Sequence, residues 1–309
     1  MTKTHGKLII AGEHFVVAGI PALAVPAPLS CQVELKLTDS GLIEIDSVLG
    51  CCVLDWDPSM PVTEGELTTG HWLRALLYRS LNELGVIVHG VRLRIQSDIP
   101  VGGGMGSSAA IAVALVKEVQ RLADTLWQKS WTDGSAYSVV EYSEGIQHGH
   151  SSGLDAWLCW HGRSVIMRPN APNNQRFQPL HGKVPAFSVV YTGKPSSTTR
   201  DCVLHVKDKL ADQSSPFETC MKRLLHSIEH QDLQVFYECI RHTHAQLNRL
   251  GVVPTPVSVF IDQIERAGGC AKISGAGSIS GESAGTVLVW GVSSEWLNDL
   301  IQTHQYVLI

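Results

Sequence analysis

The residues whose types and spacing suggest chemistry begin with Ile99-Pro100-Val101-Gly102-Gly103-Gly104-Met105-Gly106-Ser107-Ser108-Ala109-Ala110. Four glycines occupy five positions, which lets a ligand approach the main chain and opens backbone angles closed to other residues. Before them Val91-Arg92-Leu93-Arg94-Ile95 alternates apolar and basic like a half-buried strand, and after them Ser108 to Val119 is rich in Ala, Val and Leu like a buried helix. A strand, a glycine loop and a helix N-terminus together form an anion site, most often for phosphate. The Walker A pattern is absent, because Gly106 rather than Lys precedes Ser107, and the dinucleotide fingerprint fails because its third glycine would fall on Ser107. The competing reading is a flexible turn before a core helix. The paired serines favour function: Ser107 is placed to cap the helix, and Ser108 leaves a hydroxyl at the same mouth.

Other polar residues stand where apolar neighbours make them conspicuous. Glu13-His14 lies between Lys7-Leu8-Ile9-Ile10-Ala11-Gly12 and Phe15-Val16-Val17-Ala18-Gly19, so it forms either a tight turn in solvent or a pair facing a cleft. Asp155 follows the polar run His148 to Leu154 and enters the apolar run Ala156 to Trp160, at the mouth of an expected strand. By itself it reads as a turn-capping aspartate. A second glycine-rich turn, Cys270-Ala271-Lys272-Ile273-Ser274-Gly275-Ala276-Gly277-Ser278-Ile279-Ser280-Gly281, precedes a strand over 285–290. The closest histidine pairs, His148/His150 and His242/His244, lack the spacing of a structural zinc site.

The elements that must hold these residues follow from periodicity. Strands are expected at Cys31–Leu37, Leu42–Ile45, Val86–Ile95 and Phe187–Tyr191. Helices are expected over His71–Leu84, Ser108 to about Trp127, Gly134–Gln147, Cys202–Leu210, Phe217–Glu229, Leu233–Leu250, Val257–Ala267 and Glu295–Gln302. Gly85 ends the first of these as a C-terminal cap, and the Pro- and Asn-containing stretch Arg168 to Lys183 reads as a connection between domains. With 309 residues, 44% of them hydrophobic, the chain has material for a large core in an α+β protein of two lobes. A net charge of −5 gives no electrostatic case for nucleic acid, and no apolar run has transmembrane length. Eight scattered cysteines and the absence of a cleavable signal pattern predict a reduced, cytoplasmic protein.

Three separated motifs together resemble a known family. Gly6 to Gly19 resembles the N-terminal motif of mevalonate kinases, Pro100 to Ala109 the phosphate loop of the GHMP kinases, and Lys272 to Gly277 their third motif. Order and spacing match over nearly the whole chain, and Gly12-Glu13-His14 followed by Val16-Val17 is most similar to the mevalonate kinase branch. The resemblance implies a two-lobed fold. An N-terminal α/β lobe like ribosomal protein S5 would span 1–180, and a ferredoxin-like α+β lobe 181–309.

It also implies roles. Pro100, Gly102, Gly103, Gly104, Met105, Gly106, Ser107, Ser108 and Ala109 would bind the phosphates of ATP, with Ser108 and Glu144 sharing Mg²⁺. Asp155, in Ser152-Gly153-Leu154-Asp155, matches the family's catalytic aspartate, and Lys7 the lysine next to it. A mevalonate acceptor would meet Glu13, His14, Ser152, Gly153 and Thr198, together with the turn Ser274, Gly275, Ala276 and Gly277. The expected partner is this small substrate, with neither nucleic acid nor membrane, and a homodimer is implied by resemblance alone. The runner-up activities are phosphomevalonate kinase, for which Lys194, Arg200 and Lys207 offer cations, and a kinase of a sugar or other alcohol. A non-catalytic ligand-binding protein of the same fold ranks below these, because Lys7, Ser108, Glu144 and Asp155 are all present. The chain departs from the family at His5, Ser151 and Ala156, and most at Ser278-Ile279-Ser280-Gly281-Glu282-Ser283, where the family continues with glycines.

Overall fold

The structure is a computed structural model that describes residues 2–48, 50–56, 69–148 and 152–309. In chain order the elements begin β1 (Thr2–Ala11), β2 (Ala22–Leu37), β3 (Leu42–Ser47), β4 (Gly50–Asp55), α1 (Thr69–Leu84), β5 (Val91–Ser97) and α2 (Ser107–Thr125). They continue α3 (Asp133–His148), α4 (Leu154–His161), β6 (Val165–Met167), β7 (Phe177–Pro179), β8 (Ser188–Tyr191), α5 (Thr199–Val206), α6 (Leu210–His230) and α7 (Leu233–Leu250). The last are α8 (Thr255–Arg266), β9 (Cys270–Ile273), β10 (Thr286–Trp290), α9 (Ser294–His304) and β11 (Val307–Leu308). This is an α+β chain, and among the described residues no helix is long and apolar enough to cross a membrane.

The chain forms two compact units that interleave along the sequence. The first comprises Met1–Gly6, Ala27–Pro100 and Gly106–Gly162, and the second Lys7–Pro26, Val101–Met105 and Arg163–Ile309. The expected division at residue 180 follows the chain, whereas these units exchange segments at Gly6, at Pro26 and on either side of the glycine loop.

In the first unit β5 lies between β2, its antiparallel neighbour, and β3, which runs parallel to it, while β4 closes the edge on β3. The alternation in Val91–Ile95 is realised: Val91, Leu93 and Ile95 are buried, and Arg92 and Arg94 turn outward toward Glu44 and Asp46. Cys31–Leu37 and Leu42–Ile45, expected as antiparallel strands, are separated by β5. Helix α2 is buried on nearly every side by Ala109, Ala110, Ala112, Val113, Ala114 and their neighbours, and α1, α3 and α4 pack on it. Such all-round apolar character marks a helix enclosed in a core.

In the second unit a four-stranded antiparallel sheet runs in the order β11-β8-β10-β9. Helices α7 and α8 pack on β9, and α6 packs along α7. The first residues of β2, Ala22–Ala24, pair with β6, which in turn pairs with β7. The stretch Arg168–Lys183, expected as a connection, therefore contributes a short strand to this unit.

Candidate active site

Helix packing in the first unit positions four of the expected residues. Ser107 and Ser108 open α2. Ser107 does not cap it as expected. Gly106 is the N-cap with φ 69°, it makes no side-chain bond, and its carbonyl accepts the Ala110 N–H at 2.9 Å. The left-handed bend at Gly106 leaves both serine side chains half-buried within the first turn. Glu144 is buried on α3. Asp155 is half-buried in the first turn of α4, which corrects the expected strand over 156–160. An apolar run this short fits a buried strand or a helical segment equally well. What selects the helix is Gly153 at its N-cap with φ 75°, an acidic residue in the first turn, and packing of α4 on α2. There Lys117 Nζ donates to the Trp160 carbonyl at 2.6 Å. Ser152 and Gly153 lead into this turn, while His150 and Ser151 lie outside the described residues.

The second unit gathers the rest. The glycine-loop segment Val101–Met105 lies against the turn after β9. A Cβ on Gly104, where φ is +81°, would stand 2.9 Å from the Ser274 carbonyl oxygen, so only glycine lets the two backbones meet. Thr286 Oγ1 donates to the Gly103 carbonyl at 2.7 Å, and the Lys7 N–H donates to the Met105 carbonyl at 2.8 Å. Ser274 Oγ accepts the Ile9 N–H at 2.8 Å, which ties the third motif to the strand that carries Lys7. Lys7 itself is buried.

Glu13 and His14 do not face solvent; both are buried. Glu13 Oε1 forms an ion pair with Lys272 Nζ, and Lys272 also donates to the Ile9 carbonyl at 3.1 Å. Burial pushes the Glu13 carboxyl up and the Lys272 ammonium down; each charge offsets the other only in part, and Lys7 adds a further positive charge. Glu13 Oε2 is buried with no hydrogen-bond partner among the described residues. His14 Nε2 lies 2.9 Å from the Ala276 carbonyl, an acceptor only, so Nε2 carries the proton and Nδ1 bears the lone pair. Burial lowers the His14 pKa to about 4, which makes the ring neutral near pH 7. Nδ1 likewise has no partner among the described residues. His14 adopts φ 63° and ψ −41°, a conformation that L residues rarely take. The turn is held by Phe15, whose ring stacks on Phe217 of α6 at 3.7 Å between centroids.

Gly275 packs on Gly104, and a Cβ on Gly277 would lie 2.1 Å from the Val252 carbonyl oxygen, so the third motif is close-packed on both sides. Thr198 is exposed and caps α5: its hydroxyl accepts the Asp201 N–H at 3.2 Å, and Asp201 returns a bond to the Thr198 N–H. Lys272 carries no expected role of its own beyond its place in the third motif. The signal was there: a lysine inside Cys270-Ala271-Lys272-Ile273 must be buried, and a buried lysine needs a carboxylate partner.

Within the second unit, the backbone amides of the glycine loop, packed on the turn after β9 and bonded to the strand that carries Lys7, are suited to binding a phosphate group. Residues 72–163 match the GHMP kinases N terminal domain. Over that segment the chain is similar to the GHMP kinases. A mevalonate kinase of Pyrococcus horikoshii is 28% identical over 297 residues, covering 90% of this chain and 85% of that protein. The crystal structure of the Methanococcus jannaschii mevalonate kinase has the same fold, with a TM-score of 0.80 at 19% identity over 99% of this chain and 96% of that one. An L. major mevalonate kinase solved in complex with R-mevalonate superposes with a TM-score of 0.73 at 21% identity, over 98% and 90% of the two chains. The relatives and the matching fold together mark the protein as a kinase.

Proposed function

We propose that this kinase transfers the γ-phosphoryl group of ATP to the hydroxyl of mevalonate. The observation that carries the reading is the glycine loop locked at backbone distance onto Ser274 and Gly275, with Lys7 and the turn of Glu13 and His14 fastened to the same two segments. Gly104 is a cradle that any side chain would fill, as a site for a polyphosphate requires. Ser108 and Glu144 are hard oxygen donors, the kind Mg²⁺ takes in ones and twos beside phosphate oxygens. Magnesium ATP, when bound, supplies the phosphoryl group and neutralises charge on it.

The chain's own residues do the rest. The amides of Gly102 to Ser108 hold and orient the phosphates. Asp155 accepts the hydroxyl proton as the oxygen attacks, and Lys7 stabilises the negative charge that develops there. His14 Nδ1 and Glu13 Oε2 are acceptors that a hydroxyl-bearing substrate satisfies, and the R-mevalonate complex of the L. major enzyme supports a hydroxy acid as that substrate. The alternative acceptor, phosphomevalonate, draws support from the exposed cations Lys194, Arg200 and Lys207, of which Lys194 lies against Gly102.

A positioned base is worth about 10²–10⁴-fold. With mevalonate as acceptor, D155N is expected to lower kcat at least ~100-fold while ATP affinity stays nearly constant. ADP release at the wild-type rate in D155N would remove Asp155 from the role.

A further inference from the structure

The turn after β9 carries serines at 278, 280 and 283, and Ser278 makes specific bonds. Ser278 is buried, and its Oγ accepts the Ser197 N–H at 3.1 Å while lying 2.8 Å from the Ser280 carbonyl. Ser197 Oγ in turn accepts the Ile279 N–H at 3.1 Å. The contact continues along both segments. Thr192 Oγ1 donates to the Gly285 carbonyl at 2.9 Å and accepts the Ala284 N–H at 3.0 Å, and Gly281 lies so close to Ser196 that a Cβ would stand 2.2 Å from its hydroxyl.

Segment 192–198 is thus clasped to segment 278–286, and the latter grips the glycine loop through Thr286 and through Gly285, whose Cβ would lie 2.8 Å from the Gly103 carbonyl oxygen. Lys194 sits in the clasped segment. Its aliphatic stem covers Gly102: a Cβ there would be 3.6 Å from Lys194 Cε. The residue is exposed, and its ammonium has no ion-pair partner among the described residues. Pro195 follows it, fixing φ, and packs beside Gly285. A lysine has rotamer freedom to lose on binding, and a stem already laid along the loop has less of it left.

We propose that Lys194 is a phosphate-binding cation of this kinase, held over the glycine loop by the Ser278–Ser197 clasp. Ser278 is then a positioning residue that acts through Lys194. The proposal rests on the glycine loop being the nucleotide site, and it concerns the phosphates of the nucleotide.

The test is calorimetric titration of the full chain with magnesium and a non-hydrolysable ATP analogue, without acceptor, followed by the same titration with phosphomevalonate alone. Charge-assisted hydrogen bonds of this kind are worth roughly tenfold or more in affinity. K194M is expected to weaken nucleotide binding about tenfold, S278A about threefold, and S278T is expected to stay near wild type. In the K194M background S278A is expected to add nothing, a non-additivity that a merely structural serine would not produce. S197A removes the other hydroxyl of the clasp from a half-exposed position and serves in place of S278A if that variant does not fold.

Wild-type affinity in K194M overturns the proposal, as does a K194M effect confined to phosphomevalonate. Independent, multiplying effects of S278A and K194M overturn the positioning role. A wild-type chain that binds no nucleotide contradicts the kinase reading itself, and Lys194 with it.

Discussion

At the scale of single residues, the site is defined by charges enclosed in the second unit. Glu13 and Lys272 are both buried and each is the other's counter-ion, so removing one leaves an uncompensated charge. That situation costs about 3–5 kcal/mol, whereas replacing both partners by neutral groups of similar size often costs little. K272M is therefore expected to lower the urea unfolding free energy by about 3–5 kcal/mol, and E13Q/K272M to recover most of the loss. A double variant no more stable than K272M would contradict the pairing. Glu13 and His14 were recognisable in the sequence as a polar pair between apolar runs, but whether they faced solvent or a cleft was not. The partner that settles it, Lys272, lies more than 250 residues away, a separation at which no periodicity links them.

At the scale of elements, the glycine loop derives its shape from a second turn and not from flexibility. Gly104 combines φ +81° with backbone contact to Ser274, while Gly41 has φ +71° and open space around the position of its Cβ. Alanine at either position meets backbone strain of about 1 kcal/mol, and only at Gly104 does it also push on the third motif. We expect G104A to lower kcat/KM for ATP at least about tenfold and G41A to leave it unchanged, in steady-state assays of both variants. Equal losses in the two would assign the effect to strain alone.

The same scale shows what local patterns convey. Strand β5, helix α7 and the arrest of α1 at Gly85 follow from alternation, 3.6-residue spacing and glycine at a helix end. The five apolar residues after Asp155 carry no period of their own, so the helical state of α4 depends on the Gly153 cap and on packing against α2. Strand β2 runs unbroken through Pro26 and Pro28, a continuity that turn-forming prolines obscure.

At the scale of the molecule, the interleaving of the two units was not legible, because segments exchange at Gly6, Pro26 and Pro100 with no break in composition. The α+β class and the three motifs were legible, since each rests on residues adjacent in the chain.

Global stability should also report the buried histidines. Burial lowers His14 and His244 from 6.5 to about 4; His244 also feels Asp262, which raises its pKa, and Lys272, which lowers it. Between about pH 6.5 and 4 the unfolded chain takes up protons that the folded chain refuses, so stability is full above that window and falls as pH drops through it. Each histidine accounts for about 3 kcal/mol. Thermal unfolding from pH 7.5 to 4 is expected to show this contribution, and H244Q to reduce the slope. A slope unchanged in H244Q would place the titration elsewhere.

The central claim concerns the acceptor. Coupled ADP release should be measured with mevalonate, phosphomevalonate and galactose under the same magnesium and ATP conditions. Turnover with mevalonate and background rates with the other two is the predicted result; turnover with phosphomevalonate and none with mevalonate would contradict it.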